Sequence, residues 1–268
     1  MARASIALLA MVLLGVGEWS VAEQGVQKTL VQKSSSPETR AQAVIARAKA
    51  FLGGPRLEQV RALESVRSND NEILRVLFPT CYQLETARSG KILLVSFDGN
   101  TIWSRSEPES QLPPVNVDAA TLKMRGLNNV AQYALMYLLR DLPSRPLKPV
   151  WVGAAQCAPV KGECIEFRRT DASEAHPWRM AFHAETFQPL ALILYASNSP
   201  EGPPTIQSID QLDDYRPVDD VRFPFRITHR NIDLITGEDR TTAVWQYKQI
   251  LVNPPLKASD FKKPAAKK

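Results

Sequence analysis

An α+β fold built on one curved antiparallel sheet is what this sequence predicts, and three observations predict it. Short runs rich in β-branched and aromatic residues recur from Leu63 to Ile250 with turn residues between them. Two longer segments, 37–52 and 128–142, carry helical patterns. The second is apolar on nearly every face, so it has to be covered on every face, and the simplest cover in a domain of this size is the inside of a curved sheet.

The first 22 residues read as a cleavable secretory signal peptide. Arg3 starts it, an apolar run from Ile6 to Val16 follows, and Ser20-Val21-Ala22 supplies small residues at the cleavage positions. That run is shorter than the roughly 20 apolar residues a membrane span needs. A cleaved, soluble, exported protein is therefore expected, and an uncleaved signal anchor is the competing reading. Residues 23–36 are polar and Ser-rich and read as a disordered lead-in to a single domain over 37–261. Ser36 as cap, Pro37 at the first helical position and Gly53 past the end frame a helix over 37–52. A short helical turn over 55–60 precedes the first strand.

Extended runs follow at 63–68, 72–78, 82–87, 92–97 and 101–105, and Asp98-Gly99-Asn100 marks a hairpin between the last two. The proline-bearing stretch 107–118 leads to the apolar helix, for which Asn129 is the expected cap and Asp141-Leu142-Pro143 the stop. Strands resume at 149–156, 165–168, 178–183, 190–196, 206–214, 225–231 and 241–250. In the strand at 178–183, Trp178, Met180 and Phe182 share one face. The expectation is an open sheet of about nine to eleven strands with two or three helices on its concave face.

Charge and cysteine content narrow the function. The net charge of +5 arises largely from Lys262, Lys263, Lys267 and Lys268, a basic tail over 262–268 expected to be disordered. The body is close to neutral and carries no basic face with interleaved aromatics, which argues against a nucleic-acid partner. Cys157 and Cys164 flank the turn-forming run Ala-Pro-Val-Lys-Gly-Glu, and a hairpin disulfide in an oxidising compartment is expected there. Cys81 is left over, either as a buried thiol or as an intermolecular partner.

Catalytic and metal signatures are missing. His176, His183 and His229 stand outside any zinc-protease, Cys-x-x-Cys or nucleophile-elbow context. Asp210, Asp213, Asp214, Asp219 and Asp220 lack the spacing of a calcium loop, so solvated turn carboxylates are expected. No cofactor, no metal and no enzymatic activity are predicted.

The C-terminal third runs Asp214-Tyr215-Arg216-Pro217-Val218-Asp219-Asp220-Val221-Arg222-Phe223-Pro224-Phe225, then Trp245, then Val252-Asn253-Pro254-Pro255-Leu256 and Phe261-Lys262-Lys263-Pro264. With Phe78-Pro79-Thr80-Cys81-Tyr82-Gln83-Leu84-Glu85 and Phe97-Asp98-Gly99-Asn100-Thr101-Ile102-Trp103, this succession resembles the LolA/LolB-like lipoprotein-sorting proteins of the periplasm. It departs from them at Cys81, where relatives often carry a basic residue. The resemblance implies a half-barrel closed by helices that act as plug and lid. It further implies a monomeric periplasmic carrier that binds the acyl chains of lipoproteins or related lipids, with a membrane protein of the envelope as a possible partner. The expected lining is Trp103, Tyr133, Tyr137, Phe182, Leu192, Phe225 and Trp245. Proteins sharing this sheet also include envelope stress regulators that bind a protein partner, which is the alternative function; an enzyme or enzyme accessory of the envelope is the remaining competitor.

Overall fold

A computed structural model describes residues 36–68, 71–88, 90–108, 118–170, 177–196, 205–233 and 236–264. The expected signal peptide, almost all of its polar lead-in, the stretch 109–117, His176 and the last four residues lie outside them.

Helix α1, Pro37–Leu52, forms where its caps place it. Ser36 Oγ accepts a hydrogen bond from the Thr39 amide at 3.1 Å, and Gly53 closes the other end with φ 140°. A Cβ at Gly53 would fall 2.7 Å from the Asp220 carbonyl oxygen, so both the backbone angle and the close approach call for glycine. A 3₁₀ turn, Gly54–Gln59, leads to the first five strands: β1 Ala62–Arg67, β2 Ile73–Leu77, β3 Cys81–Arg88, β4 Lys91–Phe97 and β5 Ile102–Glu107. Helix α2, Ala119–Leu138, then precedes seven more: β6 Leu147–Trp151, β7 Glu163–Arg169, β8 Trp178–Phe182, β9 Pro189–Ala196, β10 Thr205–Val218, β11 Val221–Ile232 and β12 Asp239–Val252.

All twelve strands form one open antiparallel sheet in the order β5-β4-β3-β2-β1-β12-β11-β10-β9-β8-β7-β6. Two meanders, β1–β5 and β6–β12, are thus sealed side by side through β1 and β12, and α2 connects their outer edges. The strand count slightly exceeds the expected range because every extended run, the short one at Leu63–Ser68 included, makes a strand of its own. Asp219 and Asp220 lie in a turn, as expected of them, and join β10 to β11 with φ 48° and 64°, as a tight hairpin turn of matching twist requires.

Helix α2 corrects the expected boundaries of 128–142. Its cap is Asp118, whose Oδ1 accepts from the Thr121 amide at 2.9 Å, and Asn129 lies mid-helix. Thr121, Lys123 and Arg125 hide the first turns from an apolar pattern, and Gly126 interrupts it. Leu139, in the left-handed region at φ 48°, ends the helix before Asp141.

The main core lies between the concave face and the two helices. A small second core on the convex face packs Cys157, Cys164, Ala181, Ala191, Ile193 and Ile209 together, and the expected Cys157–Cys164 disulfide staples the 3₁₀ turn Ala154–Cys157 to β7. Cys81 is buried and reduced, and desolvation raises its thiol pKa, so it is closed to a second chain in this fold. After β12 the chain turns back over the convex side. Asn253 Oδ1 accepts from the Arg61 amide at 2.7 Å, and the Phe261 carbonyl accepts from Trp103 Nε1 at 2.8 Å and Ser96 Oγ at 3.0 Å.

Candidate functional site

Strand pleating fixes which side chains share the concave face. On β1 these are Leu63, Ser65 and Arg67; on β12 they include Tyr247 and Ile250, which oppose Arg67 and Ser65 across the ladder. Helix α2 lies across this face. Gly126 sits so close to β4 that a Cβ there would meet the Phe97 ring at 2.3 Å. Asn129 Nδ2 donates to the Tyr82 hydroxyl at 2.9 Å on β3, and the Tyr137 and Tyr247 hydroxyls bond each other at 3.1 Å. Tyr82, Tyr133, Tyr137 and Phe223 form a chain of rings 6.1 to 6.4 Å apart along the helix underside. At its C-terminal end, Arg140 donates to the carbonyls of Leu57 and Val60.

The helix leaves part of the concave face half covered. Leu84, Trp178, Leu194 and Trp245 are partly exposed and continuous with the main core, and Leu93 on β4 is 38 % exposed. A polar array borders them. His229 Nδ1 is 2.5 Å from the buried carboxylate of Asp210, its ring stacks on Trp245 at 5.1 Å, and the Arg67 guanidinium lies 4.1 Å over the same indole. Arg67 is paired in turn with Glu72 at 2.6 Å. The hydrogen bond to Asp210 holds the His229 pKa above its ordinary value despite opposing burial. Desolvation pushes the phenols of Tyr133, Tyr137 and Tyr247 upward, so all three stay neutral donors.

The structure brings six of the seven expected lining residues to this side. Tyr137, Phe182, Leu192 and Phe225 are buried in the main core, and Tyr133 and Trp245 pack against it. Trp103 is the exception, because Ile102 takes the concave position and the next residue on the pleat points the other way, under Phe261. Ser65, Tyr247, Leu194 and the Asp210–His229 pair were missed. The alternation of Trp178 with Met180 and Phe182 was the only sequence signal pointing to this half of the face.

Chemically the site is a greasy surface with a neutralised polar rim. His229 Nε2 meets the Asn231 side-chain oxygen at 3.0 Å, not a hydroxyl or thiol, so the Asp210–His229 pair lacks a placed nucleophile. Of the five aspartates expected in turns, Asp219 and Asp220 occupy the hairpin turn, whereas Asp210, Asp213 and Asp214 lie on β10, with Asp210 paired to His229 and Asp214 to Arg216. Among the described residues no group of His, Cys, Asp and Glu could hold a metal ion, and no helix is long and apolar enough to cross a membrane.

No family model and no curated protein matches the chain. The fold is similar to that of known structures. One is a LolA superfamily protein from Nitrosomonas europaea, with TM-score 0.48 and 14 % identity over 83 % of this chain and 97 % of that one. Another is a DUF1329 family protein from Desulfovibrio piger, with TM-score 0.42 and 7 % identity over 85 % of this chain and 98 % of that one.

Proposed function

We propose that the protein is a non-enzymatic carrier that binds acyl chains of lipoproteins or related lipids on the concave face of its sheet. The observation that supports this reading best is the set of half-exposed Leu84, Trp178, Leu194 and Trp245 continuous with the core, with Leu93 exposed on β4, beside a helix that is itself largely apolar. An acyl chain laid along that run, and beneath α2 when the helix lifts, replaces one apolar contact with another. Burial at about 0.8 kcal/mol per methylene gives a sixteen-carbon chain over ~10 kcal/mol before ordering costs. That scale is what a carrier in water needs. The Cys157–Cys164 disulfide fits an oxidising compartment, and we place the protein in the periplasm.

The test is native mass spectrometry of the protein purified from that compartment, followed by extraction and identification of bound lipid. Acyl-lipid adducts are expected for the wild type and should be lost in Leu194→Asp and Leu93→Asp, whose partly exposed sites tolerate the charge without unfolding. An empty wild-type protein that also takes up no fluorescent fatty acid overturns the carrier and favours the regulator that binds a protein partner.

A further inference from the structure

On β1 the concave face holds an oxygen atom that packing does not explain. Ser65 on β1 is 5 % exposed and its Oγ has no hydrogen-bond partner. Its ladder neighbours are Leu74 and Ile250, and alanine would fill the position with no unpaired hydroxyl. A buried hydroxyl without a partner is destabilising, and its place in a folded protein calls for a reason. The second observation lies one step along the same two strands. Arg67 stands opposite Tyr247, so Tyr247 follows the Ser65–Ile250 pair on the same face, with a bulge in β12 between them. The Tyr247 hydroxyl bonds that of Tyr137, so lifting α2 removes Tyr137 and frees a second donor beside the first.

We propose that Ser65 and Tyr247 form a carbonyl-binding subsite within the acyl groove, so that the cargo is an ester-linked acyl lipid rather than a bare hydrocarbon or an ether lipid. This rests on the carrier reading. Two neutral hydroxyl donors on one face of the same strand pair suit a carbonyl oxygen, which accepts hydrogen bonds and carries no charge. A phosphate or carboxylate would need excess positive charge, and the adjacent Arg67 is already matched by Glu72 at 2.6 Å. Tyr247 is held by Tyr137 of the helix, so an ester linkage reaches it only after the helix has lifted. An ester carbonyl then accepts from the Tyr247 hydroxyl in the place that the Tyr137 hydroxyl occupies in this structure.

The experiment is displacement of a bound fluorescent fatty acid by two lipids of equal chain length, palmitoyl lysophosphatidylcholine and its hexadecyl ether analogue. The wild type should bind the ester about fivefold more tightly, the effect of one net hydrogen bond. The double variant Ser65→Ala, Tyr247→Phe removes only two oxygens and should bind both lipids with the affinity of the ether. Ser65→Ala alone should raise the melting temperature of the empty protein. Equal binding of the two lipids by the wild type, or a preference that survives the double substitution, overturns the subsite and leaves the carrier standing. Failure of the fluorescent probe and of both lipids to bind overturns the carrier and the subsite with it.

Discussion

Helix α1 is seated by contacts that only the sheet can supply, whereas the contacts of α2 are of a kind that a ligand could supply instead. Ala41, Val44, Ala48 and Leu52 of α1 are buried, Arg40 Nη2 donates to both carboxylate oxygens of Glu163 while the guanidinium lies 3.7 Å over the Trp151 ring, and Phe51 meets Tyr215 edge-on. Helix α2 buries a similar stripe, yet two of its cross-links to the sheet are hydroxyl hydrogen bonds, Asn129–Tyr82 and Tyr137–Tyr247. Each is worth on the order of 1 kcal/mol net. The comparison teaches that scaffold and cover can share one sheet when their seats differ in how replaceable they are.

The largest expected effect lies in the scaffold. Leu52→Ala empties a fully buried site at the end of α1 and should cost about 2–5 kcal/mol in urea unfolding, with global loss of structure at the midpoint. A loss below ~1 kcal/mol would erase the distinction between the helices. Next comes Gly126→Ala, which drives a methyl into the Phe97 ring and should cost about 1–3 kcal/mol. Phe97→Leu in the same chain should recover part of it, and additive losses would show that the contact is not the cause.

Tyr247→Phe should cost about 1 kcal/mol and raise amide exchange in α2 while leaving α1 unchanged. Equal acceleration in both helices would mean that α2 does not open by itself. The smallest effect concerns His229. Its pKa is raised by the hydrogen bond to Asp210, so its stabilising contribution is fully present below its unfolded value of about 6.5 and is lost as pH rises through the higher folded value. The difference in urea midpoint between wild type and His229→Gln should therefore shrink from pH 6 to pH 9, and a constant difference would assign the residue a packing role only.

Local chemistry was legible in the sequence wherever a few neighbouring residues decide it. Ser36, Pro37 and Gly53 framed α1 to the residue, and the turn at Asp219-Asp220 and the Cys157–Cys164 bridge followed from their immediate contexts. Long-range choices were not legible. In Ile102-Trp103 two apolar residues compete for the core, and only the pairing of β5 with β4 decides which faces inward. The start of α2 was hidden because its first turns meet solvent, and helix caps are weaker signals than apolar periodicity. The Asp210–His229–Trp245–Arg67 array joins four strands, and no spacing along the chain announces it.

The seam between β1 and β12 has a consequence for how the chain reaches its fold. Leu63 pairs with Val252, so the strand made first must wait for the strand made last before the centre of the sheet can close. Each meander can form hairpin by hairpin from near neighbours, but neither can complete the core alone, and contacts so distant in sequence are slow to form. A polypeptide with such a seam stays incompletely folded until β12 has been made, so the first meander spends the whole of synthesis with its inner edge unpaired.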